Sequence, residues 1–266
     1  LLVYKRGDKE YFLVINAANI DKDVAWIKQH ADKYKVTVDD QCDYWAELAI
    51  QGPKAEKTIS EILGIDCSDL TFYTFKDIQA SDGSPIVLSR TGYTGEDGFE
   101  LYAEPDIIIE MWRKLMEAGI TPCGLGCRDT LRFEAGLPLY GDELTDVITP
   151  IEAGLGMFAK LDKENFIGRE ALALQKAEGV KQKVVGLEVE GRAIPRHGYD
   201  VMNAEGEKVG EITTGYHSIT LDRNLAMALI DARYAALGTP LQVQVRRKTF
   251  PATVIKKRFY TPNYKK

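Results

Sequence analysis

Two short stretches hold the side chains that could do chemistry: Ser89 to Leu101, reading SRTGYTGEDGFEL, and Gly124 to Tyr140, reading GLGCRDTLRFEAGLPLY. The first sets Gly92, Gly95 and Gly98 around Tyr93 and the carboxylates Glu96, Asp97 and Glu100, and Gly124 follows beyond an intervening helical run. Glycine at that density marks a turn built to place side chains. Glu100 lies between Phe99 and Leu101 at period two, so if those two face a core, Glu100 faces the other side of the sheet. Arg128 stands 28 positions further on and opens a short helical pattern with charges on both sides. Taken alone, a charge is most often solvated. Desolvated, a carboxylate can accept two parallel N–H donors at once, and a guanidinium offers a rigid fork of donors.

The remaining candidates for chemistry are few. Cys42, Cys67, Cys123 and Cys127 are irregularly spaced, which suits reduced thiols in an intracellular compartment better than a disulfide framework. With only His30, His197 and His217 to add imidazole, no metal-ligand spacing emerges. His197 and His217 sit between turn residues of a β-rich region and read as surface or core residues. Gly124, Leu125, Gly126, Cys127 supplies only the opening of a dinucleotide-binding motif. Neither a P-loop nor a GxSxG elbow is present, and nothing repeats at solenoid period. The net charge of −6 argues against a nucleic-acid partner, whose affinity rests on neutralising phosphates. No run of about 18 apolar residues suggests a membrane span, and nothing at the start reads as a signal peptide.

The elements that must position these residues follow from periodicity. Leu1 to Arg6 and Glu10 to Asn16 read as a hairpin, and Ile20, Val24, Ile27, Ala31 and Tyr34 recur at helical spacing over Asp21 to Tyr34. Trp45 to Ile50 alternates as a strand, Pro53 opens a helix that stops at Gly64, and Ile86 to Ser89 and Phe99 to Tyr102 continue the strand pattern. Pro105 starts a helix with Ile108, Ile109, Trp112, Leu115 and Met116 on its buried side, and another begins near Gly168. Hairpin links imply antiparallel pairing, so the fold class is α+β rather than a doubly wound sheet. From Val184 onward come short β-rich runs: Val184 to Val189, Gly210 to Thr214, Ala226 to Ile230, Leu241 to Val245 and Ala252 to Ile255. A boundary near Val180 therefore divides residues 1–180 from a C-terminal β-barrel domain over 181–266.

The two stretches together closely resemble the paired signature of the glycine cleavage system T-protein family, the tetrahydrofolate-dependent aminomethyltransferases. The resemblance continues in order along the chain through VINAANIDKD (14–23), IQGPKA (50–55), ITPIEAGLG (148–156), FIGREAL (166–172), VGLEVEGRAIPRHGY (185–199) and TTGYHSITLDRNLAMALI (213–230). It implies a folate-binding α+β fold with a C-terminal barrel. It also implies that tetrahydrofolate takes a methylene from the aminomethyl-dihydrolipoyl arm of a lipoylated H-protein, with release of ammonia. In that family a glutamate accepts the ring N–H and exocyclic amino group of the reduced pterin, and the matching position is Glu100. The arginine heading the second signature matches Arg128, Tyr93 falls where an aromatic face packs on the ring or its linker, and Val14 and Asn16 match positions lining the folate site. Tyr264 best matches a ligand-contacting tyrosine near the end, with Tyr260 as the alternative. Asn16 reads equally well as an ordinary helix-entry residue.

One family residue has no counterpart. The aspartate held to act on the folate nitrogen would lie one residue before Leu1, so no catalytic residue is assigned within this sequence. The opening Leu1, Leu2, Val3, Tyr4 itself reads as a strand entered part-way, as in a chain lacking its N-terminal part. Two rival functions share the fold. A non-catalytic folate-binding relative would carry a cysteine-centred motif where this chain reads NFIGREAL, and the folate domain of a sarcosine or dimethylglycine dehydrogenase would accompany a flavin domain. The resemblance fits a bacterial cytoplasm, or a mitochondrial matrix for a eukaryotic source.

Overall fold

The first two apolar runs pair as an antiparallel hairpin of β1 (Leu2–Lys5) and β2 (Tyr11–Val14), with Tyr4 opposite Phe12. They open the first of two compact units in a computed structural model that describes residues 1–261 and Tyr264. This unit comprises Leu1–Gly92 and Glu96–Pro122 together with Tyr264. Next comes α1 (Ile20–Ala31), whose apolar stripe of Ile20, Val24, Ile27 and Ala31 is only half-buried. Then follow β3 (Ala46–Gln51) and α2 (Ala55–Thr58), which widens into a π-helical turn over Ile59–Leu63 and stops at Gly64, whose φ is 70°. A left-handed residue of this kind closes a helix at little cost only when it lacks a Cβ. The unit is completed by β4 (Phe75–Gln79), β5 (Pro85–Ser89), β6 (Gly98–Ala103) and α3 (Pro105–Glu117).

β3, β6, β5 and β4 form a four-stranded sheet in that spatial order, antiparallel throughout. Alternation sends Leu48, Ile50, Leu88, Phe99 and Leu101 to one face, where Ile59, Met111 and Leu115 from the helical segments complete a core. Val87 and Tyr102 point to the other face, and the β1–β2 hairpin covers them with Tyr4, flanked by Phe12, Val14, Trp45 and Phe75. Both faces are thus covered, and every residue of β6 is buried. β6 therefore has no solvent face to offer a charged side chain. α3 opens on Pro105 at its first turn and buries Ile108, Met111 and Leu115.

The second unit comprises Tyr93–Gly95 and the described residues of Cys123–Asn263. It holds α4 (Leu125–Glu134), α5 (Arg169–Glu178) and six strands: β7 (Gln182–Val189), β8 (Asp200–Met202), β9 (Lys208–Ser218), β10 (Arg223–Asp231), β11 (Pro240–Val245) and β12 (Lys248–Ile255). They close into a barrel in the order β10, β7, β12, β11, β8, β9, which leaves no edge strand. Period-two positions such as Leu187, Val189, Ala226, Ala228, Ile230, Leu241 and Val243 fill its interior. A separate cluster joins Phe133 of α4 to Leu225 and Met227 of β10, so α4 lies against the barrel wall. No helix among the described residues is long and apolar enough to cross a membrane.

Leu101 is fully buried on the helix-covered face of β6. Leu101→Ala should destabilise the protein by about 3 kcal/mol through lost burial and a residual cavity. Chemical denaturation read by circular dichroism checks this.

Candidate functional site

The glycine-rich turn is closed at its base by a buried arginine. Arg90, wholly buried, donates from Nε to Asp97 at 2.9 Å, pairs again with Asp97 through Nη2, reaches Glu56 at 2.8 Å and the Leu70 carbonyl at 2.9 Å, and lies 4.7 Å over the Phe99 ring. Beside it the Gln51 amide donates to the carbonyls of Thr91 at 3.1 Å and Phe99 at 3.2 Å. A Cβ at Gly92 would fall 1.9 Å from the Gln51 side chain and one at Gly98 2.5 Å, so both glycines are there for room. The expectation that Gly92, Gly95, Gly98 and Gly124 all lend backbone freedom is corrected accordingly: of the four, only Gly95 has a left-handed φ, of 78°.

Glu100 projects from β6 to the hairpin-covered face, opposite Phe99 and Leu101, and is 8% exposed. It is thus largely withdrawn from the solvent that such a residue ordinarily faces. Its Oε2 accepts hydrogen bonds from Thr91 Oγ1 at 2.6 Å and from the Tyr102 hydroxyl at 2.9 Å. Behind these, Ser89 Oγ lies 2.9 Å from Thr91 Oγ1, and the Tyr4 hydroxyl lies 3.5 Å from Thr91 and 3.4 Å from Tyr102. Among the described residues no donor reaches Oε1. Burial, and then the Glu100 charge, push the Tyr102 phenol well above its ordinary range, and Tyr4 is raised chiefly by burial. Both hydroxyls therefore remain donors at physiological pH.

Other residues singled out from the sequence fall in this unit. Val14 packs in the cluster that contains Tyr4 and Tyr102. Asn16 is exposed, and its carbonyl accepts from the Asn19 amide at 2.9 Å while its side chain makes no capping bond. Tyr264 stacks on Phe72, with centroids 4.0 Å apart and planes at 12°, and Phe72 also meets Tyr73 at 4.2 Å. Tyr73 adopts a left-handed φ of 64°, unusual for a bulky residue.

In the second unit the Arg128 guanidinium lies 4.6 Å over the Tyr93 ring, and the Tyr93 hydroxyl donates to the Pro138 carbonyl. Arg128 itself is exposed. The buried cation of α4 is instead Arg132, which donates to Asp129 at 2.6 Å, Glu143 at 3.0 Å, Asp142 at 3.3 Å and Thr214 Oγ1 at 3.3 Å. Glu143 in turn accepts from Thr213 at 2.7 Å and Thr214 at 2.6 Å, and Asp129 accepts from the Tyr216 hydroxyl. His197, two-thirds exposed, places Nδ1 2.6 Å from the Thr213 carbonyl, and His217 lies 3.1 Å from Asp222. Tyr260 is tied by its amide to the Glu134 carbonyl at 2.7 Å, and a Cβ on Gly95 would come within 3.4 Å of its ring.

Sequence reasoning missed Thr91, Tyr102 and Tyr4 around Glu100, and Arg132 in α4. Tyr102 was accessible to it: two residues after Glu100 on a strand, it must share that face. The arrangement in the first unit is a largely desolvated carboxylate held through one oxygen by two hydroxyls.

An antiparallel α+β region together with a closed six-stranded barrel defines the structural class. Residues 1–163 match the family model described as the GCVT N-terminal domain, and 182–261 match the glycine cleavage T-protein C-terminal barrel domain. An aminomethyltransferase from Thermoanaerobacter sp. (strain X514) is 51% identical across the whole chain, which spans 73% of that protein's length. One from Caldanaerobacter subterraneus subsp. tengcongensis is 52% identical, again across the whole chain and over 72% of its own length. The crystal structure of glycine cleavage system aminomethyltransferase T from Bartonella henselae superposes with a TM-score of 0.88 at 28% identity, covering 96% of this chain and 70% of that one. The chain belongs to the glycine cleavage T-protein family of aminomethyltransferases. The rival folate-binding and dehydrogenase readings are not favoured by these relatives.

Burial pushes Tyr93 up to about 12, with Arg132 and Arg128 opposing the shift and Glu143 and Asp129 adding to it. The folded state thus keeps a proton that the unfolded chain gives up from about pH 10. Its contribution to stability is complete below that pH and is lost as pH rises toward about 12. Tyr93→Phe should flatten the alkaline fall in stability across this window, measured as the urea midpoint against pH.

Proposed function

We propose that this chain moves the methylene of an aminomethyl group, carried on the dihydrolipoyl arm of a lipoylated H-protein, to tetrahydrofolate. Ammonia leaves and the reduced lipoyl arm is released. The observation that carries this reading is the Glu100 carboxylate, buried, anchored through Oε2 by Thr91 and Tyr102, and without a donor at Oε1 among the described residues. A reduced pterin presents a ring N–H and an amino group side by side. A desolvated carboxylate recognises such donors more strongly than a neutral acceptor does, and it discriminates against rings that lack them.

The family resemblance assigns Arg128, Tyr93, Val14, Asn16 and Tyr264 to further folate contacts, with Tyr260 the alternative to Tyr264. The cation–π pairing of Arg128 with Tyr93 supports treating those two as one element. Holding the folate for the carrier arm supplies rate by proximity, since a bimolecular encounter becomes a positioned one. The bacterial origin of the relatives supports a cytoplasmic setting.

Glu100→Ala should weaken tetrahydrofolate binding by about 10- to 100-fold, the loss expected for hydrogen bonds to a charged acceptor, and leave the circular dichroism spectrum unchanged. Calorimetry with tetrahydrofolate measures this, and unchanged affinity removes the assignment. Methylenetetrahydrofolate formation, assayed with and without lipoylated H-protein, tests the reaction; formation independent of the carrier contradicts it.

A further inference from the structure

A carboxylate oxygen accepts along two in-plane lone pairs. At Oε2 of Glu100 both are used, by Thr91 Oγ1 at 2.6 Å and the Tyr102 hydroxyl at 2.9 Å. Because an ionised carboxylate only accepts, both hydroxyls must donate to it. That fixes the polarity of the shell behind them: with their own protons committed to Oε2, Thr91 and Tyr102 accept, Thr91 from Ser89 Oγ at 2.9 Å, while the single proton of the Tyr4 hydroxyl, within 3.5 Å of both, serves one of the two at a time. The array is one-directional, with its hydroxyl protons turned toward Oε2. Tyr4, Tyr102, Thr91 and Ser89 are all buried, so none of them is free to swing into solvent.

We infer that Thr91 and Tyr102 are positioning residues: they clamp Oε2, set the plane of the Glu100 carboxylate and present Oε1 as the acceptor for a flat heterocycle bearing an amino donor. Resting on the folate reading of Glu100 above, this places discrimination between aminated and non-aminated rings in the hydroxyl pair as well as in the acid. Without the clamp the carboxylate still carries its charge. It then rotates, and the direction of Oε1 is lost. Tyr4 acts one hydrogen bond further out, meeting Thr91 and Tyr102 and not the carboxylate oxygen itself.

The test compares tetrahydrofolate with its 2-desamino-2-methyl analogue by calorimetry on the full gene product, so that the pterin amino donor is the only difference between probes. Wild type should prefer tetrahydrofolate. Tyr102→Phe and Thr91→Val should each reduce that preference about tenfold, a loss typical for one charge-assisted bond, with analogue affinity unchanged. Thr91→Ser restores the donor and should restore the preference, and Tyr4→Phe should lower it only about twofold, as expected for an outer hydrogen bond. Tyr102→Phe keeps the packed ring, so it carries the test if thermal melts show Thr91→Val to be unfolded. Wild-type preference in Tyr102→Phe, or equal losses for both probes, overturns the positioning role. Glu100→Gln separates the two levels: wild-type tetrahydrofolate affinity there sinks the folate reading itself, whereas lost affinity there beside an intact preference in Tyr102→Phe sinks only the positioning inference.

Discussion

A charge on a sheet that is covered on both faces has to be solvated by the protein. β6 is such a strand: one face supplies Phe99 and Leu101 to the helix-backed core, and the other turns Glu100 and Tyr102 toward the β1–β2 hairpin. An isolated carboxylate in that setting would cost several kcal/mol or take up a proton. Hydroxyls from β1, β5, β6 and Thr91, two residues beyond β5, meet the need, and among the described residues they leave one oxygen over. The hairpin is therefore as much a part of the polar cluster around Glu100 as the strand that carries the glutamate.

The same economy recurs in the buried arginines. Arg90 ties the base of the glycine-rich turn to Glu56 and Asp97, and Arg132 ties α4 to Glu143 and the β9 threonines of the barrel. Each guanidinium satisfies several acceptors with its planar fork, which a lysine could not reproduce. A buried ion pair adds little net stability beside well-packed apolar groups, but removing one partner is costly. Their effect here is to fix register: the turn that begins at Thr91 is held to within the reach of hydrogen bonds. Burial and the neighbouring Glu143 charge push Asp142 above the usual carboxylate range, with Arg132 opposing the shift.

Much of this was legible in the sequence. The hairpin, the helices beginning near Pro53, Pro105 and Gly168, and the barrel strands of 184–255 follow from period and punctuation, and the antiparallel links give the α+β class. β4 escaped because FKDIQ mixes charge into a half-exposed edge strand, and β8 because three residues carry no period. The side of the sheet that Glu100 occupies was readable from its apolar neighbours. Its burial was not, since the covering Tyr4 lies 98 positions from Tyr102 and no local pattern joins them. Arg132 was hidden for the same reason, its Thr214 partner standing 82 residues away. At Gly92 and Gly98 the sequence shows a glycine but not why, because backbone freedom and room for a neighbour leave the same letter.

We propose that the Oε1 side of the buried Glu100 carboxylate grips the planar heterocycle. A crystal structure of the chain with tetrahydrofolate would test this. A ring or amino nitrogen of the pterin is expected about 2.8 Å from Glu100 Oε1, with Thr91 and Tyr102 still on Oε2. Pterin density elsewhere, with Oε1 facing only protein or water, would contradict it.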